Sequence, residues 1–242
     1  MFPSRRITMG GDVFRDEYSL EFDKSNDYIE WSDVDALDMA SDSFSVLCWM
    51  KTSTASGNSF VVQKYGGSGA GWTLRYHGSN NNIYAGIHDA DTDITLAGSS
   101  AVQDDRWYHL AVVQNKSDNT WKIYVNGGQS SSVDSTDIGS VSNSSAFRVG
   151  ADHSPSNYVG GKVSDLAFYD TALSTSQIKT IYNGREPYDS KGGILSGNLI
   201  GWWRMGDGLE SGAGTTIYDM SDNSNNGTMT NMAADDFQGD TP

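Results

Sequence analysis

The run GGKVSDLAFYDTAL, residues 160–173, sets an aspartate in the middle of a segment patterned as a β-strand. Alternation puts Ser164, Leu166 and Phe168 on one face and Val163, Asp165, Ala167 and Tyr169 on the other. A carboxylate in that place either keeps an outer face wet or holds a cation. Other acids are also spaced for chemistry. Asp89, Asp91 and Asp93 alternate as at the start of an EF-hand loop. Ile94 stands where that loop needs glycine and Ser100 where it needs glutamate, so a solvated hairpin tip is expected instead. A retaining glycosidase needs two carboxyls about 5–5.5 Å apart, and EWSDVD (Glu30 to Asp35) has the wrong order and spacing for that pair. GGSGAG misses the last glycine of a nucleophile elbow. No metalloprotease helix motif and no Walker-type loop is present. The chain reads as a non-enzyme.

Sugar recognition would use aromatic rings beside amides or carboxylates. Trp72, Tyr76, His77, Tyr84 and His88 fall in the right kind of segment, but alternation buries about half of them, and no ligand-binding residue is assigned. His109, inside WYHLAVV, reads as a packed, hydrogen-bonded histidine. Cys48, inside FSVLCWM, reads as a small core residue, and a single cysteine rules out an internal disulfide framework.

These side chains need short strands to place them. The chain has 242 residues, with 27 Gly, 4 Pro and an apolar fraction of 37%, supplemented by 7 Trp, 12 Tyr and 8 Phe. Turn signals recur every ~8–12 residues, as in an all-β sandwich or barrel. RWYHLAVVQN and TWKIYVNGG should pair as a hairpin, Trp121, Ile123 and Val125 meeting Leu110 and Val112. One helix is expected in ALSTSQIKTIYNG, with Ser174 as N-cap, Gln177 at the capping-box position, Ile178, Ile181 and Tyr182 on the apolar side, and Gly184 ending it. Residues 192–242 hold too little apolar content for a core of their own and should pack on the main sandwich, with Trp202 or Trp203 buried there.

The net charge of −15 repels phosphate backbones and anionic lipid, so neither nucleic acid nor membrane insertion is expected. The same acids suit hard cations such as calcium. No apolar h-region follows the basic pair Arg5-Arg6, so no secretion signal is visible, and the N-x-S/T triplets at Asn115, Asn143 and Asn226 are expected to be idle.

The ordered set SLEFDKSNDYIEW, SFSVLCWMKT, DRWYHLAVVQNKSDNTWKIYVNGG, FRVGAD and GGKVSDLAFYDTALSTSQIKTIYNG resembles the laminin-G-like, concanavalin-A-type jelly rolls over roughly residues 18–184. The resemblance implies an all-β sandwich of two curved antiparallel sheets. The hydrolase branch of that superfamily carries E-x-D-x-x-E, which is absent here. A segment like GWWRMGDG…GTTIYDMSDNSNNGTMTN commonly precedes the SLEFD strand in such families, whereas here it follows the helix, as in a circular permutation. That ending resembles jelly rolls of bacteriophage structural proteins.

The resemblance also implies a structural calcium tying the last core strand to the first. Its ligands would be Asp165, the turn acids Asp23 and Asp27, and Asp219 near the same rim. The organisation expected is an N-terminal arm over 1–17, a laminin-G-like jelly roll over 18–191, and C-terminal strands and tail over 192–242. The expected role is a virion-surface decoration, fibre or knob subunit, homo-oligomeric or attached to capsid or tail proteins, with a host or environmental glycan as a further partner. In that setting the arm, with Arg5 and Arg6, would order against a neighbour. The alternative is a carbohydrate-binding lectin domain of a secreted or cell-surface bacterial protein.

Overall fold

A computed structural model describes residues 14–40, 42–52, 57–67, 69–102, 105–193, 195–210 and 212–242; Arg5 and Arg6 lie outside them. The strands are, in order, Ser19–Asp23 (β1), Tyr28–Trp31 (β2), Phe44–Thr52 (β3), Asn58–Tyr65 (β4), Gly71–His77 (β5), Asn82–His88 (β6), Asp93–Ala101 (β7) and Trp107–Asn115 (β8). They continue with Thr120–Val125 (β9), Gly128–Asp134 (β10), Phe147–Val149 (β11), Gly160–Tyr169 (β12), Leu199–Trp203 (β13), Thr216–Ile217 (β14), Gly227–Thr230 (β15) and Phe237–Gln238 (β16). A helix, Thr175–Tyr182 (α1), follows β12.

The strands form two antiparallel 8-stranded sheets, the all-β sandwich expected of a jelly roll. The first runs β10-β9-β8-β3-β12-β1-β16, with β13 also on β12, and the second runs β14-β15-β2-β11-β4-β5-β6-β7. Large aromatic residues fill the space between them: Trp31 lies 4.8 Å from Phe147 and 5.0 Å from Trp203, ring centre to ring centre. The β8–β9 hairpin has the expected pairing, with Leu110 opposite Val125 and Val112 opposite Ile123. Cys48 is fully buried, and burial pushes its thiol up to about 12.

The helix forms as its capping residues require. The Ser174 side chain accepts from the Gln177 backbone N–H, Gln177 reaches back to the Ser174 N–H, and Asn183 and Gly184 end the helix in left-handed conformations. Ile178 and Ile181 bury against Leu47, Ala111, Tyr124, Ala167 and Tyr169, on the side of the first sheet away from the main core. The C-terminal segment completes that cover. Trp202 enters this second cluster and Trp203 the main core, so both indoles are buried, on opposite faces of β13.

One local feature departs from simple alternation and governs the fate of Asp165. The β12 register on β3 slips between Ser164 and Ala167, and Asp165 has φ +46°. The extra residue returns Val163, as well as Leu166 and Phe168, to the main core. Strict alternation would have turned Val163 outward. Asp tolerates the left-handed conformation better than most residues, because its short polar side chain can bond locally. At the same point β12 changes partners: Gly160–Val163 pair with β1, and Leu166–Tyr169 with β13.

Candidate functional site

The four aspartates expected to share a cation do not meet. Asp23 is opposite Gly160 on β12, so Asp165 lies five residues further along, about 15 Å away at the other end of β1. Asp219 is committed elsewhere: its carboxylate accepts the N–H groups of Trp202 (2.9 Å), Ser221 (2.8 Å) and Asn225 (2.9 Å), fixing the loop that follows β13. Asp23 and Asp27 do come together. Asp27 accepts the Asp23 N–H at 2.9 Å, and Asp23 accepts those of Ser25 and Asn26. Burial, with the charges of Asp23 and Asp236, lifts Asp27 to about 6.

Asp165 is neither solvated nor on an open face. Its carboxyl accepts the Trp202 indole N–H at 3.3 Å and lies 3.8 Å from Arg204, whose guanidinium pairs with Asp16 at 2.7 Å. Asp207 binds the N–H groups of Glu17 and Tyr18 beside them. Burial first, then the Asp16 charge and a hydrogen bond from that side, push Asp165 well above the usual carboxylate range, with Arg204 pulling the other way. Phe14 stacks on Trp202 at 5.7 Å, so residues 14–18 close this corner rather than hang free. The cluster joins the start of β1, the bulge in β12 and the end of β13. Its chemistry is structural.

Asp33 of EWSDVD and Asp38 just beyond it hold a cation, and it is a lysine. Asp33, Asp35 and Asp38 have carboxylate oxygens within 4.8 Å of one another. Lys64, 1% exposed, puts its Nζ 2.9 Å from Asp33 and 3.1 Å from Asp38 and also donates to the carbonyls of Asn143 and Ser145. His109 is packed, as expected, between Trp49 and Tyr182. Its Nδ1 has no partner, which corrects the expected hydrogen bond, and burial lowers its pKa to about 3. Asp89 organises the hairpin tip by accepting the N–H groups of Asp91 and Thr92, as a turn acid does.

Residues suited to ligand recognition gather on the outer face of the second sheet. Register fixes a polar row across it: Glu30, Arg148, Gln63, Thr73, Gly86 and Thr95, each opposite the next. A second row holds Tyr65, Gly71, His88 and Asp93, and a third Phe60, Arg75 and Tyr84. A slip in β4 between Phe60 and Val62 makes this possible. It sends both Val61 and Val62 to the core and turns Phe60 outward beside Arg75. Trp72 and Tyr76 are core residues, while His77, Tyr84 and His88 belong to the outer face, which divides the aromatic candidates as alternation requires.

The face is built from ring clusters at its two ends with small residues between. At one end His88 lies 4.7 Å from Tyr65 and bonds Asp93 at 2.5 Å, with the His153 ring 6.1 Å from Tyr65. At the other, His77 lies 5.4 Å from Tyr84, whose hydroxyl accepts from Asn80 at 2.8 Å. Burial and the Asp93 charge raise the Tyr65 pKa. Gly71 and Gly86 leave the floor without side chains. A Cβ on Gly86 would stand 2.6 Å from His88 and 2.7 Å from Thr73, so the bare floor is needed for these side chains to approach. Several buried polar atoms have no hydrogen-bond partner: both amide atoms of Gln63, Nε of Arg75 and Nδ1 of His77. Unpartnered buried polar groups are rare, and others occur elsewhere, at His109, Ser164, Tyr169, Arg204 and Glu210; these four atoms are set apart by sharing a face with the ring clusters. Sequence reasoning missed Gln63 and Arg75, because an amide and an arginine in strands look like ordinary outer-face residues until the register lines them up.

The two antiparallel sheets define a jelly-roll sandwich. The chain belongs to the concanavalin A-like lectin/glucanases superfamily, whose laminin-G-type model matches residues 23–179. Among curated proteins, it is 22% identical over 147 residues to the rat (Rattus norvegicus) sushi, von Willebrand factor type A, EGF and pentraxin domain-containing protein 1. That match covers 57% of this chain but 4% of the relative. Among solved structures, a candidate carbohydrate-binding protein from Bacteroides ovatus superimposes with a TM-score of 0.69 at 19% identity, over 90% of this chain and 59% of that one. A heptameric pentraxin from Limulus polyphemus gives 0.55 at 15% identity, over 76% and 86%. The CBM40 module of a Ruminococcus gnavus sialidase, bound to α2,3-sialyllactose, gives 0.52 at 14% identity, over 68% and 97%.

Proposed function

We propose that this chain is a carbohydrate-binding module, without catalytic activity, whose ligand lies on the outer face of β4, β5 and β6. The observation that carries the reading is the joint presence of paired ring clusters and unpartnered Gln63, Arg75 and His77 on one face with a glycine floor. Sugars offer apolar ring faces to aromatic side chains and hydroxyls to amides and imidazoles, which is the complement of that set. Tyr65 and Phe60 lie opposite Gly71 and Arg75, four residues apart on β5, or about 13 Å, which suits a short oligosaccharide rather than one sugar. Two solved relatives connected with carbohydrate support the same reading.

The test is a glycan array followed by titration calorimetry on wild type and on Tyr84→Ala and His88→Ala separately. Each substitution should weaken binding by at least about tenfold, a loss of ~1.4 kcal/mol, in variants shown to be folded by circular dichroism. An array without a hit, or variants that bind like wild type, overturns the proposal.

Display on a virion, with capsid or tail proteins as partners and a homo-oligomeric state, is the second reading; it rests on the GWWRMGDG segment alone. In either setting the module works outside the cell, where glycans are met. A structural calcium, in this proposal, sits at the Asp23–Asp27 turn beside Asp236, where a divalent cation would relieve the crowding of carboxyls that helps to raise Asp27.

A further inference from the structure

Most half-buried cations in this acidic chain hold carboxylates, and Lys116 donates to the Ile138 carbonyl. Arg148 pairs with Glu30, Arg204 with Asp16, Lys64 with Asp33 and Asp38, and Lys51 and Lys162 with Asp240. Arg75 differs. It forms no ion pair among the described residues; its guanidinium lies 5.6 Å from the Phe60 ring centre, and its row partner across β6 is the neutral phenol of Tyr84. Burial disfavours its charged form, yet a guanidinium stays charged in proteins. Its Nε is buried without a partner. A half-buried cation beside neutral neighbours is partly desolvated, and an anion brought against it would offset that cost.

The surroundings leave that place to an anion. Carboxylates on this face are engaged: Glu30 with Arg148, and Asp93 with His88. From β5, Arg75 faces Phe60 on β4 and Tyr84 on β6, with Gln63 one row away on the same face. His77, His88 and His153, of the four histidines in the chain, also gather on or beside this face. A net charge of −15 repels anions in general, so an anionic ligand needs a local cation that no protein acid already neutralises.

We infer that Arg75 selects acidic sugars: the ligand of this face carries a carboxylate or a sulfate ester that the Arg75 guanidinium binds through paired N–H donors, while the aromatic clusters hold the neutral rings. This rests on the carbohydrate-binding reading above and adds the charge class of the ligand. A planar fork suits a carboxylate bidentately, and a charged hydrogen bond of this kind contributes about 1.5–3 kcal/mol.

The experiment compares three probes on the intact chain by calorimetry: a trigalacturonate, its methyl ester, and a sulfated neutral trisaccharide of the same length. Wild type should bind the trigalacturonate at least about tenfold tighter than the ester, and added salt should shrink that ratio. Arg75→Met should bring the ratio to about one, with circular dichroism showing that the variant folds. Since the acid-to-ester comparison is made on wild type, it stands even if the variant fails to fold. Binding of the sulfated sugar as tightly as the acid identifies the recognised feature as an anion in general; weaker binding identifies the carboxylate. Equal affinity for acid and ester, or an acid preference that survives in Arg75→Met, overturns the inference and leaves carbohydrate binding intact. An absence of binding to these and to every arrayed glycan overturns both.

Discussion

The two outer faces of the sandwich receive opposite treatment. On the first sheet, the face away from the core is apolar, with Leu47, Ala111, Val113, Ala167 and Tyr169, and it is covered by α1 and by Trp202 of the C-terminal segment. On the second sheet, the corresponding face carries Gln63, Thr73, Arg75, Tyr84 and His88, and α1 lies elsewhere. The first face gains stability by burial. The second combines unpartnered Gln63, Arg75 and His77 with the ring clusters, whereas the unpartnered His109, Ser164 and Tyr169 of the first sheet are packed beneath other groups. If the first face serves folding and the second binds the proposed ligand, substitutions on the two should separate stability from binding.

The sharpest break of that comparison is Trp203→Ala. The side chain is fully buried among Trp31 and Phe147, and its loss should cost about 3–5 kcal/mol in chemical denaturation. Glycan affinity, measured where the variant is still folded, should hold. Loss of binding by a folded Trp203→Ala protein would show the faces to be coupled.

Next is Lys64→Met, which leaves the carboxylates of Asp33 and Asp38 facing each other without their ammonium. Unfolding free energy should fall by about 1–3 kcal/mol at pH 7. Part of the loss should return when Asp33→Asn and Asp38→Asn are added, because the facing carboxylates are then gone. A loss unchanged by those additions would assign Lys64 to packing instead.

Asp165→Asn should do something different. Because burial raises the Asp165 pKa, its protonated form favours the folded chain. That contribution is complete below the ordinary carboxylate value of 3.8 and is lost as pH rises through the raised one. Asparagine keeps the neutral form at every pH and tolerates the left-handed backbone, so the variant should melt at or above wild type at pH 7, with the advantage vanishing toward pH 4. A marked fall at pH 7 would mean that Arg204 needs the ionised carboxylate.

A fourth prediction concerns the Asp23–Asp27 turn. A calcium ion bound there would stabilise by RT ln(1 + [L]/Kd), about 2.7 kcal/mol at a hundredfold excess over Kd. A chelator should then lower the melting temperature by a few degrees in wild type and not in Asp27→Asn. A wild-type melting temperature indifferent to chelator and to millimolar calcium removes the ion from the account.

Periodicity and capping chemistry made the strands, the β8–β9 pairing and the Ser174-capped helix readable from the chain itself. The site was less legible, for two reasons of the same kind. A slip in β12 took Asp165 out of strict alternation, and a slip in β4 turned Phe60 outward and lined Gln63 up with Thr73. Neither glycine nor proline marks these bulges, so nothing in the residue types announces them. Asp165 was recognisable as anomalous in mid-strand, but its partners Asp16, Arg204 and Asp207 come from the two ends of the chain, and only the meeting of β1 with β13 brings them together.

The central claim, that the second sheet's outer face is the binding surface, is tested most directly by nitrogen-15 NMR during titration with the glycan that binds best. The account predicts the largest shifts at the Gln63 side-chain amide, Thr73, Arg75, Tyr84 and Gly86, with the signals of α1 and β13 unmoved. Shifts centred on α1, on β13 or on the Asp23–Asp27 turn, with Gln63 unchanged, would contradict it.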